Sequence, residues 1–411
     1  MNVLHIVGGD LRGGAARGAY LLHVGLRELG VESHILTNSK HRIADPNIKF
    51  TTGTTAGLLA DSARRVIERQ LRTMLGRNAA GTFSLGLPGF NFTKTDAYRR
   101  ADIINLHWIN GGFVDVKHLA RVRKPVVWTL RDMWPLTGGC HHAMDCIRYQ
   151  ASCGSCPILG SHREHDLSSF VFKRKKAYLP EHLVVVGISR WMSEVARESS
   201  LLGHFPVHTV FNNISTRNFF PVQKRDARKA LGVDPGRKII LIGSVNNQSI
   251  YKGYKDIVDL AERLAGSAYM LCSFGRGDLA PVRRTGVDCR DFGFLADTIS
   301  LRLLYSCADV FVAPSHAEAF GKTLAEAMAC GTPVVCYDAT GPADIVTHKV
   351  DGYKATPFDS QSLADGVEWI LHSNDYKSHC ANARKKVIQQ FDSAEIAKQY
   401  KELYHDFGSG Q

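Results

Sequence analysis

Continuous apolar runs, closed by glycine, proline or aspartate, alternate along the chain with stretches in which apolar residues return every three or four positions. The runs Val3 to Val7, Val31 to Thr37 and His182 to Ser189 predict strands, and Asp102 to His107 and Pro125 to Leu130, which are mainly apolar, predict parallel strands covered on both faces. Between the first two, Leu21, Leu22, Leu26 and Leu29 mark one face of a helix that stops at Gly30. Val207 to Ile214 ends this series, and a fresh one opens with Lys238 to Gly243, continues through Val310 to Ala313 and Val334 to Cys336, and is helical from Ser360 onward. The fold class predicted is α/β, with two Rossmann-like domains. The boundaries fall at 1–212 and 238–390, around a linker at 213–237 where charge, proline and glycine rise together, with a final helix at 391–411.

The densest signal is DVFVAPSHAEAFGKTLAEAMACGTPVVCY, Asp309 to Tyr337. It predicts strand, loop, short helix and strand: Pro314 stops the first run, Gly321 opens the helix, Gly331 closes it and Pro333 precedes the second run. Glu318 lies in the loop and Glu326 on the helix, so both can face the space beyond the strand ends, where open α/β sheets bind ligands. Phe320, Gly321 and Lys322 stand at the helix start, where backbone N–H groups attract phosphate. The plainer alternative is an alanine-rich packing helix with two solvated glutamates.

The E-A-F-G turn, the spacing of the two glutamates and the A-C-G-T-P-V-V ending resemble the donor-binding motif of family 4 glycosyltransferases, retaining enzymes of the GT-B fold. That resemblance implies two Rossmann-like domains facing an interdomain cleft, with the acceptor on the first domain, a nucleoside diphosphate sugar donor on the second, and the last helix crossing back to the first. It implies that Glu318 meets the transferred sugar, that Glu326 meets the ribose, and that the turn of Phe320, Gly321 and Lys322 receives the diphosphate. GSVNNQSIYKGYKD matches the family's phosphate loop at Lys252 and Gly253; Ser244 stands where a basic residue is usual, and Arg276 in SFGRGD is a candidate to supply that charge. Gly13, Gly14 and Ala15 match the first glycine-rich loop, which closes over donor phosphates or acceptor. From the residues alone a tight turn without ligand is the alternative, and the absence of G-x-G-x-x-G disfavours a dinucleotide-dependent dehydrogenase. At the strand end LRDMW the family commonly has histidine before the aspartate; here Arg131 and Asp132 are the candidates, arginine being unable to act as an acid or base near neutral pH. His107 is a weaker substitute and reads more naturally as structural. The implied reaction moves a sugar to a hydroxyl with its anomeric configuration retained and without a catalytic metal. An epimerase or phosphorylase on the same fold, or a non-catalytic nucleotide-sugar-binding protein, are the alternatives.

Cys140, Cys146, Cys153 and Cys156 fall within 17 residues, among Gly, Asp, Ser and Pro rather than in apolar strands. Four such thiolates suit a closed structural Zn²⁺ site, with His141 or His142 able to replace one; an iron–sulfur or redox pair and free thiols are the other readings. The insertion they form, 138–160, follows D-M-W-P-L-T-G-G and is similar to one in a branch of the family associated with exopolysaccharide, capsule and colanic-acid-type synthesis. That implies a glycan acceptor of the lipid-linked kind.

Lysine and arginine number 51 against 39 acidic residues, a formal charge of +12, which suits an anionic partner: a nucleotide sugar, a membrane surface or nucleic acid. No nucleic-acid-binding motif accompanies the charge, so nucleic acid is not expected. Asp61 to Arg77 places Val66, Ile67, Leu71, Met74 and Leu75 near one helical face with Arg64, Arg65, Arg69, Arg72 and Arg77 around it. Such a helix either lies on an anionic leaflet or packs on the core with a solvated basic face. No stretch offers 18 uninterrupted apolar residues, and the N-terminal run is short for a signal peptide. The location predicted is the cytoplasm, with a peripheral contact to the inner face of the plasma membrane as a further candidate.

Overall fold

The computed structural model describes the chain apart from residues 12, 41–42, 76–80 and 410–411. Arg77 and the end of the 391–411 segment lie outside the described residues. The chain forms two compact units, Met1–Asn213 with Ser393–Gln411, and Ile214–Asp392.

The first unit is built on a seven-stranded parallel sheet: β1 (Asn2–Ile6), β2 (Glu32–Thr37), β3 (Ile48–Phe50), β4 (Ile103–Leu106), β5 (Val126–Leu130), β6 (Leu183–Gly187) and β7 (Val207–Thr209), in the order β3-β2-β1-β4-β5-β6-β7. The continuous apolar runs form its middle, where every residue of β4, β5 and β6 is buried. Helix α1 (Gly14–Glu28) and the last helix, Ser393–Ser409, cover one face together. Leu22 and Leu26 share a core with Ile396, Ala397, Tyr400 and Tyr404. A Cβ on Gly25 would sit 2.8 Å from that of Ala397, so only glycine admits the final helix at this distance. The buried hydroxyls of that helix are satisfied within the sheet: Tyr400 bonds Thr129 at 3.0 Å, Thr129 donates to Asn105 at 3.0 Å, and Asn105 donates to Tyr404.

Helix α2 (Thr55–Leu75) turns its acidic residues inward. Asp61 is fully buried, accepting from Asn38 at 2.9 Å and pairing with Arg65 at 2.7 Å. Glu68, about two helical turns on, is buried and accepts from the Leu85 amide at 2.9 Å. The apolar positions Val66 (53 % exposed), Ile67 and Met74 (71 % exposed) face outward with Leu59. Packing of that apolar face on the core is therefore not what the fold does with it.

The second unit has a six-stranded parallel sheet: β8 (Lys238–Asn246), β9 (Tyr269–Arg276), β10 (Cys289–Asp291), β11 (Val310–Ala313), β12 (Val334–Tyr337) and β13 (Gly352–Ala355), in the order β10-β9-β8-β11-β12-β13. The order reverses between β8 and β11, so the loops leaving those strands diverge to opposite faces and leave a crevice at their C-terminal ends. The stretch 213–237 carries the helix Lys224–Leu231, fastened to this unit by Asp309, which pairs with Lys224 and Arg228 at 2.7 Å each. Among the described residues no helix is long and apolar enough to cross a membrane.

Candidate functional site

In the second unit the loops after β8 and β11 meet at the crevice. Gly253 opens the helix Tyr254–Arg263 in the left-handed region, φ 63°, and a Cβ there would lie 1.9 Å from the carbonyl oxygen of Pro314. Glycine is thus required twice over, by its backbone angle and by the contact. Around that contact the loops are stitched together. The Tyr251 carbonyl accepts from the amides of His316 (2.9 Å) and Ala317 (3.2 Å), His316 pairs with Asp256 at 2.5 Å, and Lys252 pairs with Glu318. Sequence reasoning located Lys252, Gly253 and Glu318 but missed Tyr251, Asp256 and His316, which hold them; no local pattern announces a partner 60 residues away.

Gly321, φ 104°, starts the helix Lys322–Ala329 between β11 and β12. Phe320 is buried edge-on against Phe391, which fixes the turn that precedes the helix. A Cβ on Gly341 would lie 2.5 Å from the Phe320 nitrogen, so the short helix Thr340–Ile345 after β12 packs tightly over that turn. Lys322 is half-buried at the helix start, and Glu326, one turn further, is buried with a carboxylate oxygen 3.3 Å from the Tyr305 hydroxyl. Arg276 ends β9, exposed at the same sheet edge, its guanidinium 4.5 Å from the centre of the Phe294 ring. Ser244 is buried and bonds Asn247 at 3.0 Å. The C-terminal ends of β8, β9 and β11 and the loops that follow therefore carry an ammonium, a guanidinium, a helix start and the Glu318 carboxylate, with Glu326 buried one turn into that helix: cations and amides suit phosphates, and carboxylates suit sugar hydroxyls.

In the first unit Gly13 caps α1 and donates to Asp10 at 2.9 Å, and Gly14 and Ala15 form its first turn. Arg131 is buried at the end of β5, donating to Asn212 at 2.7 Å and lying 3.3 Å from His107. His107 in turn is 3.0 Å from His5, and burial pushes both imidazoles well below the ordinary histidine range, so both are neutral. A Cβ on Gly18 would lie 2.6 Å from the Arg131 guanidinium, so the arginine is roofed by α1. Asp132 accepts from the Trp134 amide (3.0 Å), the Trp108 indole (3.0 Å) and His141 (2.7 Å). Burial raises its carboxyl pKa, but His141, His142 and the Trp134 amide outweigh that and hold it below the usual range. His141 meets Ser84 at 2.9 Å through its other nitrogen, so both ring nitrogens are occupied.

Cys140 and Cys156 are buried, Cys146 and Cys153 half-buried, and all four are free thiols. Burial pushes Cys140 up to about 12 and Cys153 up to about 11. Lys175, wholly buried, lies 3.5 Å above the Trp134 ring and donates to the carbonyls of Trp134 and Thr137. Among the described residues no group of three His, Cys, Asp or Glu side chains is disposed to hold a metal ion.

Both units carry the parallel-sheet, Rossmann-like architecture of GT-B glycosyltransferases. Residues 223–387, within the second unit, match the family described as Glycosyl transferases group 1. Among curated proteins the chain is 26 % identical over 211 residues to the N-acetyl-alpha-D-glucosaminyl L-malate synthase of Bacillus anthracis, a match covering 49 % of this chain and 54 % of that protein. It spans between 54 % and 64 % of the length of the first such relatives. Among solved structures, a sucrose-phosphate synthase from Thermosynechococcus elongatus superposes with a TM-score of 0.70 at 19 % identity, covering all of both chains. The Anabaena protein HepE, solved with UDP and glucose, superposes at 0.63 with 16 % identity, covering 99 % of this chain and all of that one. At such identities the likeness is one of fold.

Proposed function

We propose that the chain is a retaining glycosyltransferase that moves a sugar from a nucleoside diphosphate sugar to a hydroxyl of a glycan acceptor of the lipid-linked exopolysaccharide or capsule kind. The observation that carries this reading is the Lys252–Glu318 ion pair, which joins the loops after β8 and β11 just before the Gly321 turn, in the domain that matches the glycosyl transferase family. In the reaction the bond from the anomeric carbon to the diphosphate breaks, the bond to the acceptor oxygen forms on the same face, and the acceptor's proton ends on the leaving diphosphate. Lys252, Arg276 and the helix start of Lys322 stabilise the growing negative charge, a role that requires no catalytic metal. Glu318 orients the sugar, Glu326 accepts from the ribose, and Arg131 or Asp132 serves the acceptor side with the loop of Gly13, Gly14 and Ala15.

A thermal-shift screen with UDP, GDP and ADP and their sugars tests the donor site. Stabilisation by one base that disappears in Glu326→Ala supports the reading, and no stabilisation of the intact wild type sinks it. Turnover without acceptor would favour an epimerase, and binding without turnover a sensor.

The outward apolar face of α2, flanked by Arg65, Arg69 and Arg72, favours an anionic membrane surface as the place where the acceptor is met. Structural Zn²⁺ on Cys140, Cys146, Cys153 and Cys156 is proposed from the donor set alone, since the described arrangement does not gather three ligands. Metal analysis of the purified protein decides it: about one zinc per chain, lost on Cys→Ser substitution, or none.

A further inference from the structure

The first unit holds a cavity of about 410 Å³ that none of the donor-site residues lines. One wall is α2, which contributes Arg65, Arg69 and Arg72, positions that fall on one helical face and span about 10 Å along its axis. Trp108 and Asn110, from the loop after β4, and Ser84 also line it. Glu68 also reaches the cavity, but its carboxylate is tied to the Leu85 amide, so three guanidinium groups face one immobilised carboxylate. Arg65 is anchored by Asp61.

Two further features point to a ligand. Asn110 is 2 % exposed, and its side-chain oxygen has no hydrogen-bond partner. A buried amide oxygen without a donor is costly, and a hydroxyl in the cavity would relieve it. Trp108 is held by its indole N–H on Asp132, leaving a fixed aromatic wall of the kind that packs against sugar C–H faces. A carboxylate offers two oxygens and is satisfied by one guanidinium, whereas a phosphoryl group offers three and can engage several.

We propose that this cavity binds a hydroxyl-bearing compound carrying a phosphate ester, with the phosphate on Arg69 and Arg72, a hydroxyl on Asn110 and a sugar ring against Trp108. Resting on the transfer reading above, this names the acceptor class as a phosphorylated sugar. The shared chemistry has two sources, a soluble sugar phosphate or a lipid-borne sugar diphosphate.

The test is calorimetric titration of the full chain with glucose, glucose 1-phosphate, and a short-chain prenyl diphosphate sugar in micelles. One phosphorylated probe should bind at least about tenfold more tightly than glucose, and Arg69→Ala with Arg72→Ala should erase that margin. Asn110→Ala should weaken the same probe, and the double arginine variant, altered at the outer wall, keeps the test valid if that buried variant misfolds. A preference for glucose 1-phosphate assigns the soluble source, and one for the prenyl compound the lipid-borne source. Equal binding of phosphorylated and neutral probes, no binding of either phosphorylated probe, or a margin that survives loss of both arginines overturns the proposal. Nucleotide stabilisation is measured on the same samples: if it is present while the phosphate preference is absent, only this inference fails, and if nucleotides do not bind, the transfer reading fails on its own.

Discussion

Lys252 and Glu318, 66 residues apart, form an ion pair at the crevice of the second unit, each less than a third exposed. In the absence of a donor each therefore neutralises the other, and a bound diphosphate has to draw the ammonium toward itself. Lys252→Ala should lower transfer about 10²- to 10³-fold, mainly in the turnover number, because the lost charge matters most when the leaving group ionises. Steady-state kinetics with a fixed donor checks this. An effect confined to KM would mean that the lysine only assists ground-state binding.

Gly253→Ala meets both the left-handed backbone angle and the Pro314 carbonyl. The substitution should cost about 2 kcal/mol or more and separate the two loops, so nucleotide affinity should fall together with the denaturation midpoint. Urea unfolding with and without nucleotide measures the two effects. An unchanged midpoint would show that the loops part without cost.

His23 is fully buried beside Ser33 (2.8 Å) and Asp45 (3.4 Å). Desolvation lowers its pKa to about 4; Asp45 works against that shift, while Arg27 and His34 add to it. The unfolded chain therefore binds the proton near pH 6.5 and the folded chain only near pH 4, so stability falls as pH drops through that window. The loss is on the order of 3 kcal/mol for this group alone. His23→Gln should flatten the dependence of the urea midpoint between pH 7 and pH 4. His5 and His107, also buried and neutral, add to the slope and remain in the variant.

On α2 the two faces should respond in opposite ways. Val66→Glu with Met74→Glu, both on the solvent side, should change stability by less than about 0.5 kcal/mol per site, while reducing sedimentation with vesicles rich in anionic lipid. Asp61→Ala strands Arg65 and Asn38 and should cost about 2 to 3 kcal/mol. Unaltered vesicle binding in the glutamate variant would remove the membrane from the scheme.

The parts that were legible in the sequence share a property: their partners are close along the chain or their shape is set by a single residue. The central strands of both sheets are mainly apolar runs, and Gly321 and Gly253 mark turns that glycine alone permits. The spacing of Glu318 and Glu326 reflects one loop and one helical turn. The orientation of α2 was not legible, because Asn38 and the Leu85 amide, which draw its acidic residues inward, come from distant loops. Nor could spacing reveal that Arg131 is engaged by Asn212, that His141 is bound at both nitrogens, or that Asn110 and Trp108 share a cavity with α2. Those relations are created only when the sheet orders its strands.

The final helix, Ser393–Ser409, supplies Ile396, Ala397, Tyr400 and Tyr404 to the core of the first unit. During synthesis the ribosome releases those residues after every residue of the second unit, which is continuous from Ile214 to Asp392. The second unit can thus complete its fold while the first still exposes Leu22, Leu26 and the polar groups of Asn105 and Thr129. Maturation therefore runs against the order of translation, and of the two units the one begun earlier is the later to be sealed.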